Sequence, residues 1–101
     1  MSNATVDDMD ENLVGPVIRA GDLADAVIDA VIADNPGKEV HVIERGDYVR
    51  IHTDRDCRLT RASIEQALGR SFVLAAIEAE MSSFKGRMSS SDSEMRWYYK
   101  S

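Results

Sequence analysis

This sequence is short of cysteine, of proline, of basic residues and of long apolar runs, and each shortage excludes something. Cys57 is the one cysteine in 101 residues, so an internal disulfide is impossible and no thiolate cluster is available for zinc or an iron–sulfur centre. Arg55, Asp56 and Arg58 flank it, and the two arginines would favour its thiolate, but no base partner accompanies it, and a structural cysteine is the expectation. Twelve Lys and Arg stand against eighteen Asp and Glu, a formal net charge of −6. That balance argues against nucleic-acid binding, which needs basic clusters to displace counterions; it favours solubility and attraction to basic protein surfaces. No apolar run reaches the roughly 18 residues of a membrane span. The start of the chain is acidic where a signal peptide would be basic, so the cytoplasm is the expected location.

Signatures of chemistry are missing too. No glycine-rich phosphate loop follows a strand, and no nucleophile elbow surrounds Ser82, Ser83, Ser89, Ser90, Ser91 or Ser93. His41 and His52 fall on separate strands without metal-ligand spacing and are expected to be satisfied or solvated side chains. No pair of carboxylates is placed to hold two different pKa values for acid–base work. We expect no catalytic residue, no metal and no cofactor.

What is present is a pattern of α and β periods. The length fits one domain with one core and no deep internal active site. Residues 1–12, with Asp7, Asp8, Asp10 and Glu11, are expected as a flexible acidic tail, and residues 13–101 as the domain. Leu13–Arg19 is expected as a strand, with Pro16 marking an edge or a bulge at its start. From Asp22, a candidate N-cap accepting from the Asp25 N–H, the apolar positions Leu23, Ala26, Val27, Ala30 and Val31 follow the helical period. Asp22, Asp25 and Asp29 form an acidic stripe beside them, and Asn35-Pro36-Gly37 stops the helix.

Lys38–Glu44 and Tyr48–Thr53 alternate as strands around an Arg45-Gly46-Asp47 turn. A short extended piece, Cys57–Leu59, leads to Thr60 as N-cap of a helix ending at Gly69, and Val73–Glu80 is a further short helix. Phe84–Met88 and Met95–Tyr99 alternate again, across a Ser/Asp-rich turn at 89–93. In the last strand Met95, Trp97 and Tyr99 share one face and Arg96, Tyr98 and Lys100 the other. The fold class is therefore α+β: one small domain of six to seven short, mostly antiparallel strands and three helices, in the order β-α-β-β-α-α-β-β. Glu80–Arg87 marks where a helix hands over to a strand, either as a plain helix-stop loop or as a tip presented to a partner.

Two blocks are specific in wording yet chemically inert: VGPVIRAGD at 14–22 and DNPGKEV at 34–40. Followed by YVRI, LTRASIEQALGRSF and SSFKGR in this order, they resemble the small effector (coupling or regulatory) proteins of bacterial multicomponent diiron monooxygenases. The toluene monooxygenase effector subunits are the most similar, with phenol hydroxylase and soluble methane monooxygenase regulators more distant. The resemblance spans residues 13–100.

It implies a cofactor-free, non-catalytic component, monomeric when free. Such a component binds a diiron hydroxylase and tunes active-site access, coupling and turnover in aromatic hydrocarbon catabolism. It also implies hydroxylase contact by Ser82, Ser83, Phe84 and Gly86, which match the family's approaching loop, with Glu80 and Arg19 set beside them. This sequence departs from relatives that place Asn at Glu80 and Pro at Ser71. A different reading of the same residues is a standalone domain that binds a small aromatic ligand under its helices.

Overall fold

The computed structural model describes residues 12–99; the expected acidic tail lies outside the described residues. Seven strands and three helices follow in the order β1 (Leu13–Arg19), α1 (Asp22–Asp34), β2 (His41–Arg45), β3 (Tyr48–Asp54), β4 (Asp56–Thr60), α2 (Arg61–Leu68), α3 (Ala76–Glu80), β5 (Met81–Lys85), β6 (Arg87–Ser90) and β7 (Glu94–Tyr98). They build two antiparallel sheets, β2-β3-β1-β5 and β4-β7-β6. This is the α+β architecture the periodicities predict, with the extended piece at 57–59 grown into a full strand.

Alternation decides what each strand buries. In the larger sheet Val14 and Ile18 lie opposite Thr53 and Val49, and these residues, with Pro16 and Ile51, turn inward and are buried. In the smaller sheet Cys57 and Leu59 lie opposite Trp97 and Met95, all buried, while Arg58 and Arg96 face outward. Between them, α1 lays down Ala24, Ala26, Val27, Ala30 and Val31, where alanines let the helix approach closely. Trp97, Ile18, Ile51, Leu59, Ile64 and Ile77 are among the largest fully buried side chains. Burying one such aliphatic side chain is worth about 1.5–3 kcal/mol.

The two inert blocks are explained largely by this framework. Asn35, at the C-terminus of α1, behaves like a strand residue made from a side chain. Its amide donates to Val31 O at 2.7 Å and Arg58 O at 2.9 Å, and its carbonyl accepts from Arg58 N at 3.0 Å. Lys38 reaches the corner between the sheets and donates to the Asp54 and Asp56 carbonyls at 2.9 and 2.6 Å. At that corner Arg55 has φ +66°, the one positive φ outside glycine among the described residues. Its N–H donates to Asn12 O and its carbonyl accepts from Tyr99 N, both at 2.8 Å. One residue earlier than Asn35, the Asp34 carboxylate accepts from Thr60 N, Thr60 Oγ1 and Ser63 Oγ. It thereby locks the end of α1 onto the start of α2, where Thr60 is the N-cap as expected.

Several expectations are corrected. Pro16 does not mark an edge, because β1 is an interior strand paired on both sides. The proline is tolerated because the ladder to β3 runs through Leu13, Val14, Val17, Ile18 and Arg19 and passes over Gly15 and Pro16. The bulge is real but lies on the β5 side, between Val17 and Ile18. Asp22 is the first helical residue and no cap; Gly21 occupies the N-cap, and its carbonyl accepts from Asp25 N at 3.0 Å. Asp22 and Asp25 still favour the helix, through its dipole.

The strand expected from Lys38 starts at His41, because Lys38 belongs to the corner. The helix expected from Val73 starts at Ala76, after a turn. The strand expected at Phe84–Met88 is divided by Gly86 between the two sheets. Tyr99 does not join Met95 and Trp97 in the core; it is 38% exposed and lies under the Arg55 guanidinium.

Candidate partner-binding site

The residues expected to meet a partner gather along one seam, where β5 forms an edge of the larger sheet against β1. β5 needs no loop to reach this place, since α3 ends at Glu80 and the strand begins at Met81. The Ser82-Ser83-Phe84 segment is therefore an edge strand and not the presented loop foreseen from the sequence. Ser83 lies opposite Val17 and Phe84 opposite Pro16. Ser82 falls in the bulge, its Oγ 3.5 Å from the Val17 carbonyl.

Phe84 is 43% exposed, although a phenyl group on an edge strand gains from cover. Its apolar area is available for burial by a partner, at about 25 cal/mol per Å² removed from water. Edge strands also expose backbone hydrogen-bonding groups, which makes them natural docking places.

Arg19 and Glu80 close one end of the seam. Their side chains form an ion pair at 3.5 Å, and the Arg19 guanidinium stands 5.8 Å from the centre of the Tyr48 ring. Both charges are well exposed, so the pair contributes little to stability and remains open to exchange with an external partner.

Gly86 terminates the other end in a structural role. Its φ is +97°, and an added Cβ would lie 2.7 Å from Val14 Cγ1 and 2.8 Å from the Tyr98 carbonyl. Only glycine allows the chain to cross here from one sheet to the other.

Among the described residues no group of three or more His, Cys, Asp or Glu is placed to hold a metal ion. Cys57 is buried, and its burial pushes the thiol up to about 11; the flanking arginines do not activate it. Surface clefts of about 230–370 Å³ exist: one of about 370 Å³ is lined by Asp22, Asp25, Asp29 and Arg70 together with Ala26 and Leu68, and one of about 230 Å³ lies between α1 and α2.

His52, expected to be satisfied or solvated, is satisfied only in part: it is 3% exposed, has a backbone hydrogen bond with Gly15, and its Nε2 has no hydrogen-bond partner. It lies over Gly15, where an added Cβ would be 2.9 Å from the ring. Burial first, then the positive charges of Arg50 and Lys85, hold its pKa at about 4. The available signal was position, since Tyr48, Arg50 and His52 alternate along one face of β3.

The described residues thus form a two-sheet α+β framework with an exposed β1–β5 seam. The sequence profile of the MmoB/DmpM family matches residues 12–98, and the chain belongs to that family, whose members are regulatory, non-catalytic components of multicomponent monooxygenases. The fold is similar to a chain in a solved phenol hydroxylase–regulatory protein complex, with a TM-score of 0.75 and 22% identity, covering 87% of this chain and 99% of that one. A second such complex gives a TM-score of 0.69 and 23% identity over 86% of this chain and 99% of that one. The soluble methane monooxygenase regulatory protein B gives 0.65 and 19%, covering 88% of this chain and 66% of that one. Among the described residues no helix is long and apolar enough to cross a membrane.

Proposed function

We propose that this chain is the effector of a toluene- or xylene-type aromatic monooxygenase and docks through the β1–β5 seam onto a diiron hydroxylase. Two supports come from outside the seam. Membership of a family of regulatory components gives the mode of action, and similar chains occur in structures described as phenol hydroxylase–regulatory protein complexes. The ordered blocks from VGPVIRAGD to SSFKGR supply the aromatic, toluene-like assignment. The observation that carries the docking site is the half-exposed Phe84 on an edge strand, between the Ser82–Ser83 pair and Gly86, with the Arg19–Glu80 ion pair at the other end of the seam.

Regulation then follows from differential affinity. An effector with no chemistry of its own changes turnover only by binding one hydroxylase conformation more tightly than another. A tenfold preference is worth about 1.4 kcal/mol, and equal affinity for both conformations shifts nothing. The seam suits this task because its contacts are exposed and rigidly held by β1, while the core behind it need not move.

The test is reconstitution. The purified chain, added near stoichiometry to its hydroxylase and electron-transfer partners, should raise coupled hydroxylation of toluene severalfold. An unchanged rate, coupling and product distribution would sink the proposal.

A further inference from the structure

The outer face of the larger sheet carries a charge opposite to that of the whole protein. The registers place residues in rows across it: His41, His52, Gly15 and Lys85; then Ile43, Arg50, Val17 and Ser83; then Arg45, Tyr48 and Arg19. Apart from Gly15 and His52, every residue in these rows keeps exposed surface. Arg19, Arg45, Arg50 and Lys85 stand on this face; among the described carboxylates beside them, Glu80 is paired with Arg19, Glu39 lies 3.9 Å from His41, and Asp54, opposite Leu13, lies 3.9 Å from Arg55. The sequence as a whole has a formal charge of −6. Cations have been concentrated on one side of an acidic molecule, above a floor of half-buried Val17, Ile43 and Tyr48.

His52, buried beneath this face, is kept neutral first by burial and then by the positive charges of Arg50 and Lys85. Arg and Tyr are also the residue types enriched where interfaces hold most of their energy.

We infer that this face is an electrostatic docking surface for a carboxylate-rich patch of the hydroxylase, continuous with the β1–β5 seam. The inference rests on the proposed hydroxylase partner. Continuity comes from Arg19, Ser83 and Lys85, which belong both to the seam and to the outer face. Complementary charge steers encounter and fixes orientation more than it adds affinity. The seam accordingly supplies the apolar contact and the basic face supplies the approach and the register. An acidic protein without such a face would be repelled by an acidic partner, so concentrating the cations selects one orientation of docking.

The experiment measures Kd and association rate of the full chain with the purified hydroxylase, between about 20 and about 500 mM salt. Wild-type Kd should weaken over that range. Arg45→Glu and Lys85→Glu should each weaken binding about tenfold at low salt, mostly through slower association, and flatten the salt dependence. Arg45→Gln and Lys85→Gln, which cannot introduce new ion pairs within the fold, should show about half the logarithmic effect. Arg70→Glu, on the far side at the end of α2, should leave Kd within about twofold.

If the wild type fails to bind, the proposed function falls. If it binds and the reversals at 45 and 85 change neither Kd nor its salt dependence, this inference falls and docking by the seam stands. An equal loss from Arg70→Glu would mean a non-local effect of net charge and would also overturn it. So would tighter binding after deletion of residues 1–11 with no remaining penalty from Arg45→Glu, since the chain's own acidic segment would then be the occupant of the face.

Discussion

Acidification should destabilise this protein well above the pH at which its carboxylates protonate, and His52 is the reason. The folded protein holds this imidazole at about 4, against 6.5 in an unfolded chain. Between those values the unfolded chain binds a proton that the folded one excludes, so stability rises with pH across the window. The contribution is fully present above 6.5 and is lost as pH falls towards 4. At 1.36 kcal/mol per pH unit the complete loss is about 3 kcal/mol, and between about pH 7.5 and about pH 4.5 it is about 2.5 kcal/mol. That is a large fraction of the 5–15 kcal/mol typical of small domains.

Urea denaturation at both pH values, in wild type and in His52→Phe, isolates this effect from every other titrating group. The wild type should lose about 2.5 kcal/mol more than the variant on acidification. At neutral pH the variant should lose about 1 kcal/mol, because Phe gives up the backbone hydrogen bond with Gly15 and adds slight bulk while removing an unpartnered buried nitrogen. Parallel pH profiles for the two proteins would refute the reasoning, and a direct NMR titration placing His52 above 6 would do the same.

Three further outcomes follow from named contacts. Asn35→Ala leaves the Arg58 N–H and two carbonyls without their partner and should cost about 2–4 kcal/mol, read as a lower urea midpoint at unchanged m value; a loss below about 0.5 kcal/mol would show that the side chain is not a structural bridge. Gly86→Ala, forced to place a methyl against Val14 and the Tyr98 carbonyl at φ +97°, should lose about 2–3 kcal/mol in the same assay. Phe84→Ala should lower stability by about 1 kcal/mol or less, given its exposure, while changing the coupling or product distribution of the reconstituted hydroxylase; global unfolding of this variant would mean that the seam is core structure.

The legible parts of this fold are those where a local pattern meets a local cause. The apolar spacing of α1, the turn at Arg45-Gly46-Asp47, the Thr60 cap and the Gly69 stop each depend on contacts a few residues apart. Pro16 misled because proline removes a ladder donor, and the usual consequence is an edge strand. Here a gap in the ladder absorbs the loss inside the sheet. Ser82-Ser83-Phe84 misled in the same manner: a polar, aromatic, glycine-bounded segment resembles a loop, and only pairing with β1 makes it a strand. Asn35 was legible as a helix terminator but not as a bridge, since Arg58 lies 23 residues away.

The sequence by itself determined the class of this protein: α+β, without a metal or nucleophile signature, and bearing the blocks of a monooxygenase effector. Those properties are written in residue types and in short periods. The tertiary structure decided which side chains stand together. It joined Arg19 to Glu80 across 61 positions, buried His52 with its Nε2 unpartnered, and assembled cations from β1, β2, β3 and β5 on one face. Strand order and register are set by the packing of the whole core, so no local stretch of sequence contains them.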